Sequence, residues 1–408
     1  MYRGVSMRRL DTKALSTVIL ASVASLVVHT TLALEPADYK VGPVFLTPTL
    51  DTKLSYVDNL LRSDNDEKNT GISTLKPRVQ AWLQNGLNTY SFTYELANYI
   101  YFDSSDDDFT DNTFNLDIHH EFNAKNMVNV FGEYYIGHEE RGTGLSEGVA
   151  QLIDEPVELD RTVFGGNYTY GGKASKGRIK LGAKATEHEY QNFNRFTKYR
   201  SRDHYDYDGT FFWKVAPKTD ALVEVRYTDT EYDKTNPAVF GGSYDSEEYN
   251  YLVGVAWEAT AKTSGSIKVG AYDRTYDSNA RSDDDGFSWE VDVTYEPRTY
   301  ARFNLESRRY SEETNGLGDA IDANETTLSW DHDWNSRSST NMSFIYGNED
   351  YSSSNREDDL YRVKATYNYA FRRWVDFGVG YRYEDRDSDL NFYDYNRNEV
   401  FLEAKLSM

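Results

Sequence analysis

The chain has 408 residues and a formal net charge of -23, with 34 tyrosines and no cysteine. The absence of cysteine excludes disulfide frameworks, thiolate metal sites and cysteine nucleophiles, and the strong negative charge disfavours binding to a phosphate backbone. The mean hydropathy is -0.73, and beyond the first residues no segment approaches the roughly 18 consecutive apolar residues of a membrane-spanning helix.

The first residues predict a secretory signal peptide. Three arginines within the first nine residues precede an apolar run that ends in small residues near Ala33. A basic start, an apolar middle and a small-residue cleavage site are the features of such a signal. We therefore predict a signal peptide over residues 1–33 and a short periplasmic segment over 34–43. A retained N-terminal anchor is the alternative.

From Val44 onwards, apolar and polar residues alternate with a period of two, which indicates β-strands with two different faces. In residues 287–295, Phe, Trp, Val, Val and Tyr occupy one face, and Ser, Glu, Asp and Thr occupy the other. The apolar faces have aliphatic middles and aromatic ends. This arrangement is typical of a lipid-facing band between two aromatic girdles.

The connectors between these strands are of two alternating kinds. Tight connectors made of turn-forming residues lie at 83–88, 123–126, 171–177, 216–220, 260–265, 296–299, 335–339 and 371–374. Longer, acidic connectors lie at 60–70, 103–111, 138–156, 233–248, 277–285, 311–324, 351–359 and 384–391. Short periplasmic turns alternating with long extracellular loops are the layout of a transmembrane β-barrel. We predict an all-β, antiparallel up-and-down barrel of about 18 strands over residues 44–408, with 16 strands as the alternative.

The stretch GVGYRYEDRDSD, residues 378–389, illustrates one such strand. Val379 and Tyr381 are predicted to face lipid, and Arg382 is predicted to face the lumen. The alternation is predicted to end after Glu384, where the strand leaves the membrane and an external loop begins. A soluble β-sandwich would also show this period, but it seldom has so many long strands in one domain.

A barrel of this size is too wide for side chains to fill, so an aqueous lumen is predicted. Its inward positions carry both charge signs, which argues against a phosphate pore lined by a ring of Arg or Lys. Arg beside Tyr and an acid recurs near the outer strand ends, and such groups suit sugar hydroxyls and uronic acids. Charges that only pair between neighbouring strands are the alternative. The candidate polysaccharide track comprises Arg226, Arg274, Arg302, Arg308, Arg362, Arg382, Glu224, Glu306 and Asp376.

The connector that begins HEERGTG is long enough to fold inward, contact the lumen wall and constrict the pore. Its candidate constriction residues are His138, Glu139, Glu140 and Arg141. A GxSxG match occurs at residues 144–148, but it lies in a long connector and not between a strand and a helix, as a nucleophile elbow would. No HExxH motif or phosphate-binding loop occurs, and the acidic run at 106–108 lacks an EF-hand pattern. The sequence therefore predicts no enzyme activity, no catalytic residues, no cofactor and no metal site.

Three parts of the chain carry a resemblance to a known family. They are LSYVDNLLRS with LKPRVQ (54–63 and 75–80), GHEERGTG (137–144) and YRYEDRDSDLNFYDYNRNEVFLEAKL (381–406). In these parts the chain resembles the putative β-barrel porin 2 family, whose members are described as outer-membrane proteins of exopolysaccharide or capsule biosynthesis. The final Met408 departs from the aromatic residue that is typical at the end of such barrels.

The resemblance implies a bacterial outer-membrane channel that takes part in the export of an exopolysaccharide or capsular polysaccharide through its polar lumen. The expected partners are a polysaccharide or oligosaccharide substrate, outer-membrane lipids with lipopolysaccharide, and periplasmic polysaccharide-export proteins, but no nucleic acid. Two alternatives stay open. One is a general or sugar-selective diffusion porin, and the other is a plugged structural or adhesive barrel.

Overall fold

The computed structural model describes residues 38–236, 242–260 and 262–407, so the predicted signal peptide lies outside the described residues. The strands are β1 (Tyr39–Val41), β2 (Val44–Val57), β3 (Thr70–Asn85), β4 (Asn88–Tyr101), β5 (Phe109–Asn123), β6 (Asn126–Glu139), β7 (Val157–Tyr170), β8 (Gly177–Tyr190), β9 (Arg202–Ala216), β10 (Thr219–Tyr232), β11 (Ser246–Thr260), β12 (Thr263–Tyr276), β13 (Asp284–Arg298), β14 (Ala301–Glu313), β15 (Ala320–Asp333), β16 (Ser338–Tyr351), β17 (Glu357–Arg372), β18 (Val375–Ser388) and β19 (Tyr395–Ser407). Short 3-10 helices lie at Ser105–Asp107, Gly144–Ser146, Ala150–Leu152, Thr197–Tyr199 and Asn391–Tyr393. Within the described ranges, no helix is both long and apolar enough to cross a membrane.

Strands β2 to β19 form one closed antiparallel barrel of 18 strands. Each strand pairs with its neighbours in sequence, and β19 pairs with β2 from Glu399 opposite Val57 to Ser407 opposite Thr49. Closure lets the backbone polar groups of the strands bond within the sheet, which a hydrocarbon environment requires. The prediction of an antiparallel barrel of about 18 strands is confirmed.

The short strand β1 lies beside the start of β2, with Tyr39 opposite Leu46 and Val41 opposite Val44. The other edge of β2 is occupied by β3, which pairs with it from Phe45 onwards. Since β19 stops opposite Thr49, β1 covers the part of the β2 edge that β19 leaves open. Covered edges do not offer free backbone groups to another chain.

The connectors alternate in length around the barrel. Nine longer loops lie at one end, at 58–69, 102–108, 140–156, 191–201, 233–245, 277–283, 314–319, 352–356 and 389–394. The loop at 191–201 is absent from the predicted acidic connectors because it carries Arg195, Lys198 and Arg200 and no acid. Several predicted loops are also shorter than expected because the strands continue further.

The extended strands correct the interpretation of residues 384–391 as a loop. β18 continues to Ser388, with Glu384 and Arg386 buried on the inner face and Asp387 exposed on the outer face. The backbone alternation therefore persists where the apolar alternation stops. A tilted strand needs only about 9–11 residues to cross the hydrocarbon layer, whereas β18 has 14, so its upper part stands above the lipid.

The outer surface of the barrel is apolar at mid-height. On β12, Ile267 and Val269 are exposed, whereas Lys268 and Tyr272 between and beyond them are buried on the inner face. The buried apolar clusters lie instead at the extracellular end. One of them contains Val57, Leu60, Leu61, Ile72, Tyr101 and Ala150, and the other contains Ile321, Ala323 and Tyr351.

A charge placed in the apolar band should destabilise the barrel. Val253 is 54% exposed and lies between Val223 and Val269 on the neighbouring strands. We expect Val253→Arg to lower the free energy of unfolding in lipid vesicles by about 2–4 kcal/mol. Thr275→Arg, on the outer face near the extracellular end of β12, should cost less than about 1 kcal/mol. Equal losses in a urea titration would contradict the assignment of the lipid-facing band.

Candidate functional site

A compact group of four charges lies on the inner wall. Arg226 on β10 contacts Glu224 on the same strand and Glu290 on β13, with Nη2 3.0 Å from Oε2 of Glu290. Lys268 on β12 lies 3.1 Å from Glu224 and also contacts Glu290. Since β10 and β13 are separated by two strands, the arginine side chain lies across the wall. Two cations and two carboxylates therefore neutralise each other there.

Ion pairs hold four further residues of the candidate track. They are Arg274 with Glu248 (2.9 Å) and Glu313 (3.0 Å), Arg302 with Glu296 (2.6 Å), Arg308 with Glu325 (3.5 Å) and Arg382 with Glu399 (3.2 Å). Such pairs between strands stiffen a sheet. Their use by a polysaccharide stays a prediction.

The remaining track residues lie at separate places on the wall. Arg362 lines a narrow cleft together with Glu349. Glu306 lies two positions before Arg308 on β14, on the same inner face, and is opposite Thr327 of β15. Asp376 lies opposite Lys405 near the turn end of β18. The structure therefore distributes the candidate track around the barrel and does not gather it into one site.

The loop between β6 and β7, residues 140–156, crosses the extracellular mouth, and we call it the mouth loop. Its Glu147 contacts Arg386 of β18, Arg356 at 2.7 Å and Asn315 at 2.6 Å. Arg356 belongs to the β16–β17 loop and Asn315 belongs to the β14–β15 loop. Around the ring in one direction, strands β8 to β15 lie between the mouth loop and the β16–β17 hairpin. In the other direction, strands β18, β19 and β2 to β5 lie between them. Glu147 therefore reaches the opposite side of the barrel.

The two arginine partners of Glu147, Arg356 and Arg386, are buried. The Arg356 side chain is fully buried, lies 3.5 Å from the Tyr393 ring centroid and has Nε 3.0 Å from Asp358. Burial alone would lower the pKa of Arg356, but its hydrogen bond with Asp358 contributes most to a net rise. The next residue, Gly148, has φ +68° and would place a Cβ 2.8 Å from the Tyr393 ring. Glycine is therefore required where the mouth loop meets the far wall.

The start of the mouth loop is anchored to the near side. Glu140 pairs with Arg62 of the β2–β3 loop at 2.7 Å, and Arg141 Nε donates to Asp107 at 2.6 Å. Burial alone would raise the pKa of Glu140, but Arg62 and Arg397 outweigh it and hold that pKa well below its usual range. The Glu140 carboxylate therefore remains charged at neutral pH.

Two of the four candidate constriction residues lie in a strand, which corrects the predicted start of the loop at 138. His138 and Glu139 end β6. His138 Nδ1 is 2.8 Å from Asp111, and Glu139 accepts hydrogen bonds from Tyr190 and from the backbone N–H of Leu145, both at 3.0 Å. His138 and Glu139 therefore fix the base of the mouth loop.

Glu147 could not be singled out from the sequence, because the residues around it give no distinguishing signal.

The acidic residues of the β4–β5 loop bond to other groups of the protein. Asp107 binds Arg141, and Asp108 accepts a hydrogen bond from the backbone N–H of Tyr101 at 2.6 Å. Within the ranges that the structure describes, no group of three or more His, Asp and Glu side chains is arranged to hold a metal ion. The acidic run at 106–108 therefore orders its own loop.

One protein family accounts for nearly the whole chain. A family model described as putative beta-barrel porin 2 matches residues 33–408, and no curated protein matches the chain. Among solved structures, the chain is similar to OccK2 (OpdF) of Pseudomonas aeruginosa, with 8% identity, 89% of this chain and 98% of that chain covered, and a TM-score of 0.47. It is also similar to the FrpB iron transporter of Neisseria meningitidis, with 8% identity, 88% and 81% covered, and a TM-score of 0.48.

Proposed function

The chain belongs to the putative beta-barrel porin 2 family, and from that membership together with the mouth loop we propose that it is a gated channel for hydrophilic solutes. Its assignment as a porin-like channel of the outer membrane follows from the family and the closed barrel. The observation that carries the gate is the contact of Glu147 with Arg356 and Arg386 across the mouth. Side-chain contacts can break without disrupting the strand ladder, so the mouth loop can move while the barrel stays intact.

The inner wall supports broad rather than narrow selectivity. Its charges have both signs and occur largely as pairs, as in the group around Arg226 and Glu290. A dedicated ion pore would instead present a ring of one sign. This balance favours a diffusion porin for polar solutes, and the porin family favours a transporter over an enzyme.

Secreted polysaccharide is the second candidate solute, and contacts between arginines and aromatic rings towards the mouth favour it. The guanidinium carbon lies 4.3 Å from the ring centroid for Arg308 on Tyr310 and 3.2 Å for Arg281 on Tyr244. Flat rings next to rigid donors suit sugars.

Export would require periplasmic polysaccharide-export proteins, since a barrel in this membrane has no nucleotide energy source. Deleting the protein should then lower the amount of secreted polymer, and an unchanged amount would contradict export.

The chain must be exported before it can contact the lipids of the outer membrane. We infer that residues 1–33 direct it across the inner membrane and that residues 34–43 remain on the periplasmic side. Outer-membrane lipids and lipopolysaccharide would then contact the apolar band that includes Val253. Mass spectrometry of the mature N-terminus tests the cleavage, and an N-terminus at residue 1 would contradict it.

Removing the mouth loop should open the channel. We expect replacement of residues 142–152 by a short Gly-Ser linker to raise the single-channel conductance in planar bilayers several-fold over the wild type, because this segment crosses the mouth. The same exchange of the exposed residues 64–67, at the tip of the β2–β3 loop, is the control and should leave the conductance near the wild-type value. A wild-type pore already as conductive as the deletion variant would contradict a gate in this loop.

A further inference from the structure

A cavity of about 200 Å³ lies at the extracellular mouth, where four loops meet. The mouth loop contributes Leu145, and the loops at 191–201, 233–245 and 314–319 contribute most of the remaining lining. Its main side chains are Phe196, Tyr199, Arg200, Tyr232, Lys234 and Tyr244. The described lining residues include two cations and no carboxylate, in a chain whose net charge is -23.

The guanidinium group of Arg200 makes this cavity suitable for an anion. Its Nη1 is buried and has no hydrogen-bond partner among the described residues. Its guanidinium carbon lies 4.9 Å from the ring centroid of Tyr244, which lines the same cavity. A buried polar group without a partner costs free energy, and a charged group costs more. An acceptor that enters the cavity would remove that cost.

The remaining lining indicates what else the occupant carries. Phe196 and Tyr199 offer ring faces, while the amide of Asn315 offers hydrogen-bonding groups for hydroxyls. The volume lies below the roughly 300–1,000 Å³ of pockets for drug-sized ligands, so it suits a single ring. Guanidinium groups bind carboxylates in a bidentate manner.

We propose that this cavity binds a single sugar acid, with its carboxylate on Arg200 and its ring against the aromatic side chains. The site deepens the proposed function, because it lies beside the mouth loop. Asn315 lines the cavity and also donates a hydrogen bond to Glu147 at 2.6 Å. A bound sugar acid would therefore contact a residue that holds the mouth loop closed. The coupling rests on the proposed gate, whereas binding itself does not.

Isothermal titration of the purified full-length protein with galacturonate tests the site, with galactose as the neutral counterpart. We expect galacturonate to bind and galactose to bind at least about ten-fold more weakly, because hydrogen bonds to a charged group are roughly twice as strong as neutral ones. Arg200→Gln should weaken galacturonate binding at least about ten-fold. Arg195→Gln, an exposed position in the same loop, is the matched control and should bind as the wild type does.

Equal affinity for galacturonate and galactose, or equal affinity of the wild type and Arg200→Gln, would overturn the proposal, as would no measurable binding of galacturonate. Titration heats do not depend on an open pore. A protein that binds galacturonate but conducts no differently without its mouth loop would keep this site and refute the gate. A protein that gates but does not bind would do the reverse.

Discussion

Glu147→Gln should convert a closed channel into one that is open for a large share of the time. The substitution keeps the size of the side chain and removes its charge, so Arg356 and Arg386 lose the carboxylate that the mouth loop supplies to both of them. Hydrogen bonds to charged groups contribute roughly 1.5–3 kcal/mol each. Loss of one such contribution shifts the ratio of closed to open channels by roughly 10- to 150-fold. Open probability in planar bilayers measures this shift.

Glu155→Gln is the matched control for that experiment. Glu155 belongs to the mouth loop and is exposed, and its carboxylate is 3.4 Å from the Asn192 amide. It should leave the open probability at the wild-type value. If Glu147→Gln conducts like the wild type while the deletion of 142–152 conducts strongly, the loop closes the mouth by packing, and the contacts of Glu147 do not control it.

Cross-linking the mouth loop to the β2–β3 loop should abolish the gain in conductance. The Nε2 atom of Gln151 lies 2.6 Å from Oγ of Ser63, so cysteines at both positions can be joined by a short, reducible thiol reagent. The natural chain has no cysteine, which makes the reaction selective. In the Glu147→Gln background we expect the reagent to return the open probability to the wild-type value and a reductant to restore it.

Each single-cysteine variant treated with the same reagent controls for blockage of the pore by the reagent itself. Both should keep the high open probability of the Glu147→Gln background. A doubly modified channel that stays open would show that the loop opens without leaving the β2–β3 loop. Movement at its far contacts would then suffice.

The barrel could be predicted because lipid and water impose opposite chemistry on alternate residues. Residues 287–295 show that alternation directly, and the structure has them within β13. The ends of strands could not be predicted in the same way, because above the lipid both faces are polar. In β18 the ladder continues to Ser388, although the apolar pattern ends at Tyr383. The basic loop at 191–201 was missed since acidity served as the signal for a loop.

The candidate site was predictable only in part. Alternation placed Arg226 on the inner face, but its partner Glu290 is 64 positions away, and only the strand order brings them together. The length of the mouth loop suggested a constriction. The residue that crosses the mouth, Glu147, depends on which strands stand opposite β6 and β7 in the closed ring. That relation is a property of the whole barrel, so no local pattern contains it.

The seam between β19 and β2 determines when this protein can become a barrel. It joins residues 346 positions apart, as in the ion pair of Lys53 with Glu399 at 2.7 Å. Contacts this far apart in sequence form slowly, because the entropy of closing the chain must be overcome before they stabilise anything. The seam cannot form until β19 is present, so an incomplete chain keeps two exposed edges. Such edges recruit other chains, and prompt delivery of the last strand protects against that outcome.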